Sequence, residues 1–209
     1  MDSIELVWGA LAAKDRVTHA GSIRELARRA KLDPDHTIRA LRRENRIEPL
    51  FKGYYLVKRP EEVLLHHEPS PLELFALGAK AKGIGTWYYA LETALRLNRL
   101  SHEYSRIEHV VSDAVHRPTG VPIGGRRFII HKWRPEMARF ALRRHGTYRF
   151  SDPEKTVLDL AYADDAAIKR GRSPGLAWKE HLGKVDPERL SSYLDYYPRS
   201  VRELVEAGA

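Results

Sequence analysis

The sequence predicts an α+β fold in two domains. Three observations carry the expectation. Two short amphipathic helical patterns and a hairpin signal are packed into residues 22–55, proline and charge interrupt the chain between residues 59 and 71, and strand-like alternation is mixed with helical spacing beyond that break. At 209 residues the chain can bury two cores, and the domains are expected at 1–60 and 61–209.

A first helix is expected over residues 2–13, with Ile4, Val7 and Leu11 facing a core and Trp8 at its edge. Ile23, Leu26, Ala27 and Ala30 then recur at helical spacing, and Ser22 with Glu25 reads as a capping box. Asp33-Pro34 opens another helix, an N-cap acceptor followed by a proline where a missing N–H costs nothing. At 100° per residue, Pro34, Ile38, Leu41 and Asn45 fall on one side of it and His36, Arg39, Ala40 and Arg43 on the other. A helix entering a major groove needs such a face: arginine pairs bidentately with guanine, and a small residue allows close approach.

Ile47–Phe51 and Tyr54–Val57 are short apolar runs joined by Lys52-Gly53, a two-residue hairpin signal, and Pro49 marks an edge strand. Helix, turn, helix and basic hairpin is the order of a winged helix-turn-helix. On that reading His36, Arg39 and Arg43 meet base edges, while Ser22, Arg24, Thr37, Arg42, Lys52, Tyr54 and Lys58 meet the phosphate backbone.

A charged connection with a short helix follows over residues 61–67. Residues 72–82 and 88–97 read as helices, the second carrying Tyr88, Leu91 and Leu95 on one face. Residues 107–115 alternate with apolar weight on both faces, as a central strand does. Gly120, Pro122 and Gly124-Gly125 read as turns before a strand over residues 126–133, and residues 135–143 fit helix or strand. A short strand at 148–150 leads into Asp152-Pro153 and a helix to about Tyr162, its apolar face Thr156, Val157, Leu160 and Ala161. Further helices open at Asp186-Pro187 and near Arg199.

The formal charge is +8, and residues 1–60 hold 13 Lys+Arg against 8 Asp+Glu. That excess suits a polyanionic partner such as double-stranded DNA. With no cysteine, disulfides and thiolate metal sites are excluded. The chain has no glutamine and two asparagines, Asn45 and Asn98, beside 31% charged residues, a composition expected of a hot-living prokaryote. There is no membrane-length apolar run, and Asp2 and Glu5 stand where a secretory signal would be basic, so a soluble cytoplasmic protein without a membrane partner is expected.

Three stretches together resemble the AbiEi family, antitoxins of type IV toxin–antitoxin systems that also regulate transcription. They are the helix-turn-helix ending in Lys52-Gly53-Tyr54-Tyr55, the segment from Trp87 through Leu95, and the segment from Ser151 through Leu160. The resemblance implies a winged-helix DNA-binding domain, a C-terminal antitoxin domain, repression of the protein's own promoter, and a nucleotidyltransferase-like toxin that is opposed with or without direct binding. Lys155 and Asp159 of the last stretch read as a surface pair worth a few tenths of a kcal/mol.

No catalytic, metal or cofactor motif is found. His66-His67 are neighbours whose side chains diverge on a helix, and Asp113 lacks the acid-x-Lys partner that a metal-dependent nuclease needs, the matching strand reading Ile130-His131-Lys132. Arg126, Arg127, Lys132 and Arg134 fit an auxiliary phosphate track, a partner face or a solubilising surface. Two alternatives to the antitoxin stay open: a regulator whose C-terminal domain senses a ligand or dimerises, and a metal-dependent nucleic-acid enzyme.

Overall fold

The computed structural model describes residues 3–65 and 69–208; Asp2 of the expected first helix and the His66-His67 pair lie outside them. The fold is mixed α+β with two sheets. The chain divides into two units, residues 1–84 with 121–126 and residues 85–120 with 127–209.

The first unit runs α1 (Ser3–Ala12), β1 (Val17–His19), α2 (Ala20–Arg29), α3 (Pro34–Arg43), β2 (Ile47–Phe51), β3 (Tyr54–Val57), α4 (Pro60–Leu65) and α5 (Pro71–Ala81). Its strands form an antiparallel sheet in the order β1-β3-β2, which leaves Pro49 on an edge strand as expected. Val7, Leu11, Ile23, Ile38, Leu41, Ile47 and Val57 meet in one core, with Trp8 at 8% exposure. Helices α2 and α3 each stop at a left-handed residue, Lys31 (φ 58°) and Asn45 (φ 56°). In each case the next N–H reaches back to close the turn, Leu32 to the Ala27 carbonyl and Arg46 to the Leu41 carbonyl.

The unit extends past the break expected at residues 59–71 because α5 packs on the small sheet. Ser70 and Glu73 form its capping box. Phe75 meets Phe51 edge-on at 5.4 Å, and a Cβ at Gly78 would stand 2.7 Å from the Phe51 ring, so only glycine allows this approach.

The second sheet has the order β6-β7-β5-β4-β9-β8, comprising β4 (Trp87–Tyr89), β5 (Ile107–Ser112), β6 (Arg117–Ile123), β7 (Arg126–Lys132), β8 (Leu142–His145) and β9 (Tyr148–Ser151). β5 is central, parallel to β7 and antiparallel to β4. The remaining helices are α6 (Leu91–Leu97), α7 (Pro153–Ile168), α8 (Pro187–Tyr193) and α9 (Arg199–Glu206), with 3-10 turns at Ala177–Lys184 and Leu194–Tyr196. Tyr88, Leu91, Leu95, Val111, Val157, Leu158, Ala161, Trp178 and Val201 share its core.

Three expectations change here. The helix expected over 88–97 starts at Leu91, and Tyr88 and Tyr89 instead lie fully buried in β4, where aromatics fit a pleated surface. Residues 117–123 form a strand despite Gly120 and two prolines, which an edge position tolerates. Helix α7 runs to Ile168 and is buried on nearly every side from Glu154 to Ala161, so its apolar stripe is only part of its buried surface. Residues 135–143, open between helix and strand, resolve into a turn that leads into β8. Among the described residues, no helix is long and apolar enough to cross a membrane.

Candidate nucleic-acid interface

Helix α3 is set by its own first turn. Asp33 Oδ1 accepts the His36 N–H at 2.6 Å, and Thr37 Oγ1 donates to the Asp33 carbonyl at 2.8 Å. Thr37, Ile38, Ala40 and Leu41 are buried, while Asp35, His36, Arg39, Arg42 and Arg43 are exposed. At 100° per residue Arg39 lies at the middle of the open face, between Arg43 and His36 on one side and Arg42 and Asp35 on the other.

Two assignments are therefore corrected. Thr37 is fully buried and spends its hydroxyl on the helix's own first turn, so it cannot meet a phosphate; Ala40 is 1% exposed and packs inward instead of opening the reading face. Lys58 is the third correction: it is 2% exposed, its ammonium donates to Asn45 Oδ1 at 2.6 Å, and its carbonyl accepts from Trp8 Nε1 at 3.0 Å. It ties the end of the hairpin to the C-terminal turn of α3.

Arg24 and Asp35 form an exposed pair at 3.2 Å that links α2 to the first turn of α3. Lys52 is exposed at the hairpin turn, and Tyr54 is half-buried. Ser22 is exposed within the first turn of α2 but does not cap it, which corrects the expected capping box. The cap is His19, whose Nδ1 accepts the Gly21 N–H at 3.1 Å while its ring meets Tyr54 edge-on at 5.1 Å. The Ala20 N–H donates to the Gly53 carbonyl, so one short segment joins helix start and hairpin turn. A shallow groove of about 510 Å³ runs along Arg39, Arg42 and Arg43 to Asn45, Glu48 and Pro49 of β2. Sequence reading missed His19, Asp35 and this groove, and only Asp35 carried a signal, its place on the open arc of α3.

The cations expected to form an auxiliary track are not one exposed row. Arg127 and Lys132 are exposed on β7, but an odd separation puts them on opposite sides of a strand, and Arg127 donates to the Thr119 carbonyl at 3.2 Å. Arg126 is half-buried, and Arg134 is exposed beyond the end of β7.

Lys155 and Asp159 are not the expected surface pair, for both side chains are fully buried. Lys155 Nζ donates to Asp159 Oδ1 at 2.9 Å and lies 4.4 Å from the Phe140 ring centre. Tyr88 and Tyr197 also donate to the Asp159 carboxylate, at 3.0 and 2.6 Å. Burial raises the pKa of Asp159, opposed by Lys155 and the two hydroxyls, and burial lowers that of Lys155, opposed by Asp159. Burial, then the Asp159 charge, holds both phenols well above their usual range. This arrangement knits α7 to β4 and the chain's last helices.

Elsewhere in this unit His109 Nδ1 lies 3.1 Å from His131 Nε2, and Asp113 pairs with Arg139 at 3.4 Å. Burial, then the neighbouring His109, lowers the His131 pKa to about 4. Among the described residues no group of three or more His, Asp or Glu is arranged to hold a metal.

No family model matches the chain, and no curated protein matches it. Among solved structures it is similar to the one titled "Crystal structure of RV2827C protein from Mycobacterium tuberculosis", with a TM-score of 0.61 at 16% identity over 99% of this chain and 77% of that one. At that identity the likeness is one of fold.

Proposed function

We propose that the chain is a sequence-specific binder of double-stranded DNA, an antitoxin of the type IV kind that represses its own promoter. The observation that carries the DNA reading is the division of α3 into a buried arc and an open arc bearing Arg39, Arg42, Arg43 and His36. Helix, strand, two helices and a hairpin closing a three-stranded sheet suit a winged helix-turn-helix, with α3 as the helix that enters the major groove. Arg39, Arg43 and His36 then read base edges, and Arg24, Arg42, Lys52 and Tyr54 grip the backbone.

The antitoxin part rests on the resemblance of the three sequence stretches to AbiEi proteins. It makes a nucleotidyltransferase-like toxin the functional partner, opposed with or without a stable complex, in the cytoplasm. Arg39→Ala or Arg43→Ala should weaken binding to the protein's own promoter by about 1–3 kcal/mol and relax specificity. Promoter binding unchanged in both variants, measured by gel shift, would remove α3 from the interface. Co-expression with the product of the adjacent reading frame should relieve that product's toxicity; growth arrest that persists would sink the antitoxin role and leave the DNA reading standing.

A further inference from the structure

The second unit holds a cleft of about 530 Å³ between α6, the loop after it and the 3-10 turn Ala177–Lys184. Small-molecule sites occupy roughly 300–1,000 Å³. Four glutamates line it, Glu92, Glu103, Glu108 and Glu180, against Arg96 and Lys184, which makes it locally acidic in a chain whose net charge is +8.

The balance is more acidic than this count. Arg96 is spent on the fully buried Glu108, at 2.6 and 2.7 Å, and Thr93 donates to the same carboxylate at 2.8 Å. Glu103 and Glu180 have no cationic side chain paired with them among the described residues, and Glu92 has only the His109 ring at 3.4 Å. Two large apolar side chains stand exposed on the lining, Tyr104 at 73% and Ile107 at 40%.

His181 supplies a second and independent pointer. It lines the cleft with only 5% of its surface exposed, and its Nδ1 lies 3.3 Å from Lys184 Nζ. An ammonium can only donate, so the ring accepts at Nδ1 and carries its proton on Nε2. That N–H has no partner among the described residues. Burial, then Lys184, lowers the His181 pKa, in keeping with a neutral ring.

We infer that this cleft binds a small organic amine: a cationic ammonium among Glu92, Glu103 and Glu180, an aromatic or apolar body against Tyr104 and Ile107, and an acceptor oxygen on His181. Phosphate and carboxylate ligands are disfavoured by the unpaired glutamates. The inference stands apart from the DNA reading, since every lining residue belongs to the second unit.

Tyramine carries all three features. Calorimetric titration of the full chain should show saturable tyramine binding, at least about tenfold tighter than its uncharged counterpart 4-ethylphenol, with 4-hydroxyphenylacetate weaker still. The double variant Glu92→Gln, Glu180→Gln should lose about tenfold in tyramine affinity and leave 4-ethylphenol unchanged, and Tyr104→Ala should weaken both. Unfolding temperatures near the parent's would show that these surface changes spare the fold. Absence of saturable tyramine binding, equal binding of the acid, or undiminished tyramine binding in the double variant would each overturn the assignment.

Discussion

Lys155 and Asp159 show how little a four-residue spacing says about energy. The same pair on an exposed helix contributes a few tenths of a kcal/mol, but here both groups are fully buried and Asp159 also takes two tyrosine hydroxyls. Removing one member leaves the other charge in an apolar setting. Lys155→Met should therefore destabilise the protein by about 3–5 kcal/mol, whereas Lys155→Met with Asp159→Leu should cost less than the sum of the single changes. Urea denaturation of the four proteins checks this; a loss below about 1 kcal/mol in Lys155→Met would mean that water reaches the pair. The two asparagines are equally placed by structure. Asn45 takes the left-handed turn after α3 and receives Lys58, and Asn98 donates to the Ala94 and Ser151 carbonyls and accepts from Arg143.

At the level of elements, local chemistry was the readable part. Asp33-Pro34, Asp152-Pro153 and Asp186-Pro187 each open a helix, because a cap and a proline act within one turn. Lys52-Gly53 turns the hairpin for the same reason, with Gly53 at φ 83°. Apart from the Ser22 capping box, displaced when α2 began three residues earlier at a His19 cap, what failed depended on distant neighbours. Tyr88 fits a helical period with Leu91 and Leu95, but β5 and β9 on either side make its segment a strand. Thr37, Ala40 and Lys58 looked available because sequence does not reveal which arc of α3 its neighbours cover or where a long side chain turns inward. His131 gives the strand pair β5 and β7 a pH response of definite sign. Its pKa is lowered from 6.5 to about 4 in the folded chain by burial, His109, His116 and Arg170, so between those values the unfolded chain binds the extra proton. Its contribution is complete above about pH 6.5 and is lost as pH falls toward 4, up to about 3 kcal/mol. His131→Gln should flatten the stability profile in that window, measured as denaturant midpoints from pH 7 to 4; a variant as acid-sensitive as the parent would remove His131 as the source.

Over the whole molecule, charge and burial together decide which cations a polyanion can use. Residues 1–60 hold 13 Lys+Arg against 8 Asp+Glu, yet several of the 13 are spent inside the unit: Lys58 on Asn45, Arg46 on Glu5, and Arg16 on Glu62. Lys52, Arg39, Arg42 and Arg43 remain exposed. Each phosphate neutralised releases counterions and adds about 0.9 to the slope of log affinity against log salt, so a lysine that grips backbone changes that slope and one that braces the fold does not. On the DNA reading, Lys52→Ala should reduce the slope by about 1 on promoter and unrelated DNA alike, and Arg39→Ala should narrow the gap between the two DNAs. Lys58→Met should lower the unfolding temperature and leave the slope of the remaining folded protein where it was. Fluorescence anisotropy across a salt series with both DNAs separates the cases. A smaller slope in Lys58→Met than in Lys52→Ala would mean that the buried lysine, not the turn lysine, reaches the phosphates, and the proposed backbone contact of the hairpin turn would fall.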